Sequence, residues 1–273
     1  MSKTTKDWII DTLENLVDVD LKKFKSKLCD RPDEPKIRKG AIQNADYVDL
    51  ADKLVSTYTE NGAVNVTIEV LESIGLKQEA ADLRNGTKLD CIYGDVMKID
   101  TTGASEETAK QDNLTVNGVS ASYKLAEQDL SRLNDYKDII IHVGKSKQMD
   151  PAVISAIISR QSRAGAALEN GWGDCGNAFG LMQVNKLYYT PEGEWNSEEH
   201  VAQGTQILID FINKIKRKFP NWPKEHWFKG GIAAYCAGDG NVESYEKVDD
   251  HTPGKDFAND VVARAQWYKK NGF

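Results

Sequence analysis

Residues 157 to 185 read IISRQSRAGAALENGWGDCGNAFGLMQVN. Three side chains of this stretch bear on proton transfer: Gln161, Asp174 and Asn185. A carboxylate such as Asp174 can orient a water molecule and accept its proton. A carboxamide such as Gln161 or Asn185 can hydrogen-bond, but it has no proton to give at any useful pKa. Gln161 follows Ile154, Ile157 and Ile158 by seven, four and three residues, so all four share one stripe of a helix. A carboxyl on that stripe would be partly desolvated and would stay protonated near neutrality. The stripe is therefore shaped for a proton donor, yet it carries an amide. Taken singly, these residues have plainer readings. Gln161 is a satisfied polar residue near a helix end, Asp174 beside glycines is a turn residue, and Trp172 and Trp222 are core.

The elements that must position these groups are legible around them. Asp150-Pro151 is a helix start, with aspartate as N-cap and proline in the first turn, and PAVISAIISRQSR follows as the helix. GWGDCGNAFGLMQVN alternates glycines with apolar residues and predicts a small twisted sheet with tight turns. Upstream, SASYKLAEQDLSRLNDYKDIIIHVGK predicts one or two helices. Downstream, EEHVAQGTQILIDFINKIKRKF predicts a long helix and NDVVARAQWYKKNGF a closing one. The expected class for residues 89–273 is α+β, dominated by helix and carrying a small β-sheet.

Residues 1–86 read differently. Apolar residues recur at helical spacing in WIIDTLENL, DLKKFKSKLC, DYVDLADKLVSTYT, VNVTIEVLESIG and KQEAADLR, with no alternating strand pattern. DRPDEPKIRKG stops the second of these helices, and Gly75 stands where a C-cap belongs. The short polar ADLRNGTKLD marks the boundary between the two modules. Charge in the first module is segregated. Lys22, Lys23, Lys25, Lys27 and Arg38 form one cluster, and Asp7, Glu14, Asp49 and Asp52 belong to the opposite one. The totals over residues 1–88 nearly cancel, 14 basic against 16 acidic. Such faces permit head-to-tail contacts that do not close on themselves; the bland alternative is ordinary solvated helix faces.

The composition narrows the function classes. A net charge of −7 argues against nucleic acid as the main partner. No apolar stretch is long enough for a transmembrane helix, and the N-terminus lacks a signal-peptide h-region. Cys29, Cys91, Cys175 and Cys236 are scattered, with no Cys/His cluster, so neither a zinc site nor another metal or cofactor is expected. Together these features predict a cytoplasmic protein.

Two resemblances give these patterns a context. WIIDTLENLVDVDLKKFKSKL, VDLADKLVSTY and VLESIGLKQEAADLR closely resemble a pyrin domain, the death-fold module of inflammasome receptors and their speck-forming adaptor. The resemblance covers residues 1–86 and implies a six-helix bundle. It also implies binding to other pyrin domains, including such an adaptor, and self-assembly. Lys22, Lys27 and Arg38 would face Asp7, Glu14, Asp49 and Asp52 of a neighbouring copy. The remainder, residues 89–273, looks like a goose-type lysozyme through CIYGDVMKIDTTGAS, PAVISAIISRQSRAG, NGWGDCGNAFGLMQVN, QGTQILIDFI, GGIAAYCAGDGNV and NDVVARAQWY.

That second resemblance implies inverting hydrolysis of the β-1,4 link between N-acetylmuramic acid and N-acetylglucosamine in peptidoglycan. Such chemistry needs a protonated carboxylic acid on one side of the bond and a water-activating carboxylate on the other. The resemblance places Gln161 at the general-acid position, with Asp174 and Asn185 at the two water-positioning positions. Trp172, Gln183 and Tyr235 fall at substrate-binding positions, and Cys236 stands where the family has asparagine. Cys91 matches a disulfide cysteine of secreted bird members, while the other bridge positions here are Glu106, Asn117 and Gln148. The expectation is a protein that binds peptidoglycan or muropeptides with catalysis impaired. The alternatives are an active muramidase using Asp174 alone, and a pyrin-domain scaffold carrying a vestigial lysozyme-like part.

Overall fold

The protein is described here by a computed structural model over residues 3–32, 35–87 and 91–273. The chain divides into two compact units, Met1–Lys88 and Leu89–Phe273.

The N-terminal unit is helical throughout. Helix α1 (Thr5–Glu14) begins at a capping box, in which Thr4 and Asp7 satisfy each other's backbone N–H groups. Helix α2 (Asp18–Cys29) and the short α3 (Lys39–Ile42) follow. Asp46 then caps α4 (Tyr47–Ser73), accepting the N–H groups of Val48 and Asp49 at 2.8 Å each. Helix α4 ends as the glycine predicted. Gly75 turns left-handed at φ 89°, and the Leu76 N–H returns to the Leu71 carbonyl at 2.9 Å. Helix α5 (Lys77–Gly86) completes the unit. Ile9, Leu13, Phe24, Leu28, Leu50, Leu54, Leu71 and Leu83 fill one core at no more than 1% exposure.

The expected six helices are five among the described residues of this unit. DYVDLADKLVSTYT and VNVTIEVLESIG, read as two helices from the sequence, run together as α4. The intervening TENGA offers only Asn-Gly as a break and no proline. One interior glycine costs a helix about 1 kcal/mol, which the apolar residues buried on both sides offset.

In the C-terminal unit, α6 (Glu106–Gln111), α7 (Gly118–Asn134) and α8 (Lys137–Lys147) precede α9 (Pro151–Ser162). Asp150 caps α9 through the Ala152 N–H at 3.1 Å, with Pro151 in the first turn, as its sequence predicts. Every α9 residue from Pro151 to Ser159 is buried, against α7, α8 and the closing helix α12 (Phe257–Lys270). The sheet expected from the glycine-rich stretch is present. Strands β1 (Trp172–Gly173), β2 (Ala178–Phe179) and β3 (Val184–Asn185) form an antiparallel β1-β2-β3 meander. The long α10 (Glu198–Lys218) packs on α11 (Lys224–Ala237) and α8. Among the described residues no helix is long and apolar enough to cross a membrane.

Candidate functional site

Gln161 lies one residue before the end of α9, half-buried, on a helix whose other apolar faces are sealed. The end of that helix is tied to the sheet by the next residue. The Ser162 hydroxyl donates to the carbonyl of Leu181, between β2 and β3, at 2.8 Å, and accepts the Gly165 N–H at 3.1 Å. Position 161 immediately precedes this tie. The sheet register aligns Gly173, Ala178 and Asn185 in one row across the three strands. Two strand spacings put Asn185 about 10 Å from Gly173, and Asp174 leaves the row immediately after it. Asp174 and Asn185 thus stand at the sheet, and Gln161 immediately precedes the residue that ties the end of α9 to it.

Asp174 is exposed and adopts a left-handed backbone (φ 48°), as does Cys175 (φ 53°). Consecutive non-glycine residues in that region mark a backbone held by its surroundings against local preference. The Asn185 side chain is already engaged: its Oδ1 accepts the Leu187 N–H at 2.9 Å. The turn it shapes carries Leu187 and Tyr188, which are 69% and 79% exposed. These apolar side chains open to solvent beside the site, and the sequence reading did not single them out.

The positions implied for substrate contact are also structural. Trp172 packs on its register partner Phe179 with ring centroids 4.8 Å apart, and the Lys186 ammonium lies 5.3 Å above the Trp172 ring. Gln183 is left-handed (φ 54°) and donates to the Gly180 carbonyl at 2.8 Å. Its amide oxygen fills the space a Cβ on Gly173 would need. Tyr235 donates its hydroxyl to the Met182 carbonyl at 2.7 Å, and burial pushes that hydroxyl's pKa well up. Burial likewise pushes the Cys236 thiol to about 11, so it stays protonated at neutrality.

Beneath α9 lies a cluster the sequence reading missed. Arg264 is 1% exposed and grips Asp260 through Nε at 3.0 Å and Nη2 at 2.8 Å. Its Nη1 donates to the Ser159 hydroxyl at 2.9 Å, and that hydroxyl donates to Asp129 at 2.7 Å. Asp129 also receives Arg163 Nε at 3.0 Å, while Arg132 Nε donates to the Arg163 carbonyl at 3.0 Å where α9 ends. Arg160 joins Asp256 at 2.9 Å. Burial alone would raise the Asp260 carboxyl, but the Arg264 and Arg160 guanidiniums hold it below its ordinary range. At Asp129 burial prevails, pushing the carboxyl up against the pull of Ser159, Arg264 and Arg132. The sequence did carry a signal. On α7 an acid stands in the apolar stripe of Leu125, Ala126 and Leu133.

In the N-terminal unit, all seven residues implied for pairing are exposed. Lys22 and Lys27 are on α2, Arg38 caps α3, Asp7 and Glu14 are on α1, and Asp49 and Asp52 on α4. Part of the acidic set is already engaged. Asp7 closes the α1 capping box, Glu14 receives a hydrogen bond from Tyr47, and Asp52 pairs with Lys6. Asp49 and Asp52 line an open pocket of about 660 Å³ together with Gly40, Asn44 and Lys53. Among the described residues, no cluster of three or more His, Cys, Asp or Glu side chains could hold a metal ion.

Comparison with known proteins assigns both units. The family model described as Lysozyme g matches residues 93–272, and that of the PAAD/DAPIN/Pyrin domain matches residues 9–81. A lysozyme g of Cyprinus carpio is 62% identical over 182 residues, covering 67% of this chain and 98% of that relative. One of Dromaius novaehollandiae is 60% identical over 181 residues, covering 66% of this chain and 89% of that relative. One of Gallus gallus is 53% identical over 204 residues, covering 75% of this chain and 95% of that relative.

Proposed function

The chain belongs to the lysozyme g family and bears a pyrin domain ahead of its lysozyme g part, and from that premise we propose that it binds peptidoglycan or its fragments while cutting them poorly or not at all. One observation carries this reading. The α9 position that the resemblance implies for the general acid holds an amide, Gln161, at the half-buried end of a buried helix. Loss of general-acid catalysis costs on the order of 10²–10⁴-fold. Asn185 extends the pattern, because it keeps the shape and acceptor oxygen of an aspartate without the base. Asp174 is the one carboxylate left among the three positions, exposed and able to orient water. Around it, Trp172, Gln183 and Tyr235 line the cleft for the glycan chain. Two near-isosteric amides in a chain that keeps 62% identity to a lysozyme g over 182 residues suit retained binding better than random decay.

The pyrin domain supports the other half of this reading, homotypic assembly. Its exposed basic residues Lys22, Lys27 and Arg38 and acidic residues Asp7, Glu14, Asp49 and Asp52 pair between copies or with another pyrin-domain protein such as a speck-forming adaptor. The protein then couples a peptidoglycan-binding part to an inflammasome-type assembling part in the cytoplasm. Titration calorimetry of the full chain with soluble muropeptides tests the binding reading. Saturable heat at or below millimolar ligand is expected, and no heat at millimolar ligand overturns it. Imaging the full chain with the adaptor tests the assembly reading. Filaments or specks are expected, and a diffuse monomeric signal overturns it.

The left-handed, exposed backbone at Asp174 favours one second reading, an active muramidase that uses Asp174 alone. Clearing of bacterial walls faster than by an Asp174→Ala control would establish it.

A further inference from the structure

The backbone of Met182 is held on both sides of its Cα. Its carbonyl accepts the Tyr235 hydroxyl from α11 at 2.7 Å, and its N–H points at Nε2 of His200, on α10, at 3.1 Å. A backbone N–H can only donate, so Nε2 must carry the lone pair and the ring proton must sit on Nδ1. His200 is fully buried, and Nδ1 has no hydrogen-bond partner. An orphaned buried donor costs about 1–3 kcal/mol, so this ring is not placed for stability alone.

The surroundings fix the ring as tightly as the hydrogen bond does. Gly180 is left-handed (φ 75°) and lies so close that a Cβ there would collide with the imidazole. Phe179 of β2 meets the ring edge-on at 5.7 Å. The His200 backbone N–H donates to the Ser197 hydroxyl, the N-cap of α10, at 3.3 Å. On the other side, Met182 packs where a Cβ on Gly204 of the same helix would have to go. Met182 leads directly into Gln183, whose left-handed backbone begins the approach to β3 and Asn185. Preceding it is Leu181, which accepts the Ser162 hydroxyl from the end of α9. The grip on Met182 therefore sits between the elements that bear Gln161, Gln183 and Asn185.

We propose that His200 is a positioning residue of the cleft: with Tyr235 it holds the Met182 backbone through the peptide units on its two sides and so sets where Gln183 and Asn185 stand against the end of α9. This rests on the reading of the cleft as a peptidoglycan-binding site. His200 touches no substrate and acts only through the β2–β3 turn.

Three readouts on the full chain test it. Nitrogen-15 NMR of the wild-type imidazole at neutral pH is expected to show an unprotonated Nε2 and a protonated Nδ1. The opposite tautomer, or an imidazolium, overturns the proposal without any variant. His200→Phe keeps an aromatic body but offers no acceptor, whereas His200→Gln supplies an acceptor oxygen. The Phe variant is expected to accelerate hydrogen exchange at the Met182 amide and to weaken muropeptide binding about tenfold, the worth of one hydrogen bond. The Gln variant is expected to recover most of both. Equal binding by the wild type and the Phe variant overturns the positioning role while leaving the binding reading intact. A wild-type protein that binds no muropeptide overturns that reading and this proposal with it.

Discussion

In the N-terminal unit Lys6 meets Asp52, Lys3 meets Asp11 and Lys23 meets Asp20 on exposed surface. In the C-terminal unit Arg264, Asp260 and Asp129 meet at no more than 1% exposure. The difference teaches what charge is for in each unit. Exposed pairs contribute roughly 0–1 kcal/mol and are exchanged readily for a partner's charges. A buried group cannot be exchanged, because removing one member strands another in a low-dielectric interior. One unit keeps its charges at the surface, where the proposed assembly would use them, while the other fixes the end of α9 with its buried ones. Between these extremes lies the proposed cleft, where the two positions that the resemblance implies for acids carry neutral amides, Gln161 and Asn185.

The largest expected effect comes from returning charge to the cleft. Gln161→Glu combined with Asn185→Asp should raise the rate of bacterial wall clearing by on the order of 10²–10⁴-fold. A double variant that binds the polymer but still does not cleave it would show that the active site lies elsewhere. Next comes the buried cluster. Arg264→Leu leaves Asp260 without its main partner and should lower the stability of the C-terminal unit by about 3–5 kcal/mol, read from its thermal transition. A loss within 1 kcal/mol, as expected of an exposed pair, would erase the contrast between the units.

A smaller effect follows from His200, whose pKa burial lowers from 6.5 to about 4. The unfolded chain then binds more protons than the folded one between these values. The contribution is complete above pH 6.5 and is lost as pH falls towards 4, about 3 kcal/mol in all. Chemical denaturation of the full chain across that window should show the C-terminal transition weakening, with His200→Gln flattening the slope. The smallest effect belongs to the N-terminal surface. Asp52→Asn should change the stability of that unit by less than about 1 kcal/mol in denaturation. By light scattering it should nevertheless slow self-assembly, and unchanged assembly would remove Asp52 from the pairing face.

Local rules explain what the sequence made legible. Asp150-Pro151 announced the start of α9, Gly75 the end of α4, and the glycine-rich stretch a small sheet. Each is a matter of capping or backbone freedom confined to a few residues. The continuity of α4 was missed because Asn-Gly is a strong turn signal that tertiary burial overrode. The Asp129–Ser159–Arg264–Asp260 cluster joins residues up to 135 positions apart, Asp129 to Arg264, and no local pattern reports such pairing. The grip of His200 on Met182 was equally hidden, because a histidine in an amphipathic helix does not announce which backbone N–H it will accept. For the candidate site, residue identities came from the sequence. The row Gly173, Ala178, Asn185 and the tie from Ser162 to Leu181 came only with the fold.

The central claim is that the cleft holds peptidoglycan without cutting it. Incubating the wild-type protein with insoluble peptidoglycan and assaying pellet and supernatant together tests this most directly. The protein is expected to sediment with the polymer and to release reducing ends no faster than an Asp174→Ala control. Protein left in the supernatant, or reducing ends released well above that control, would contradict it.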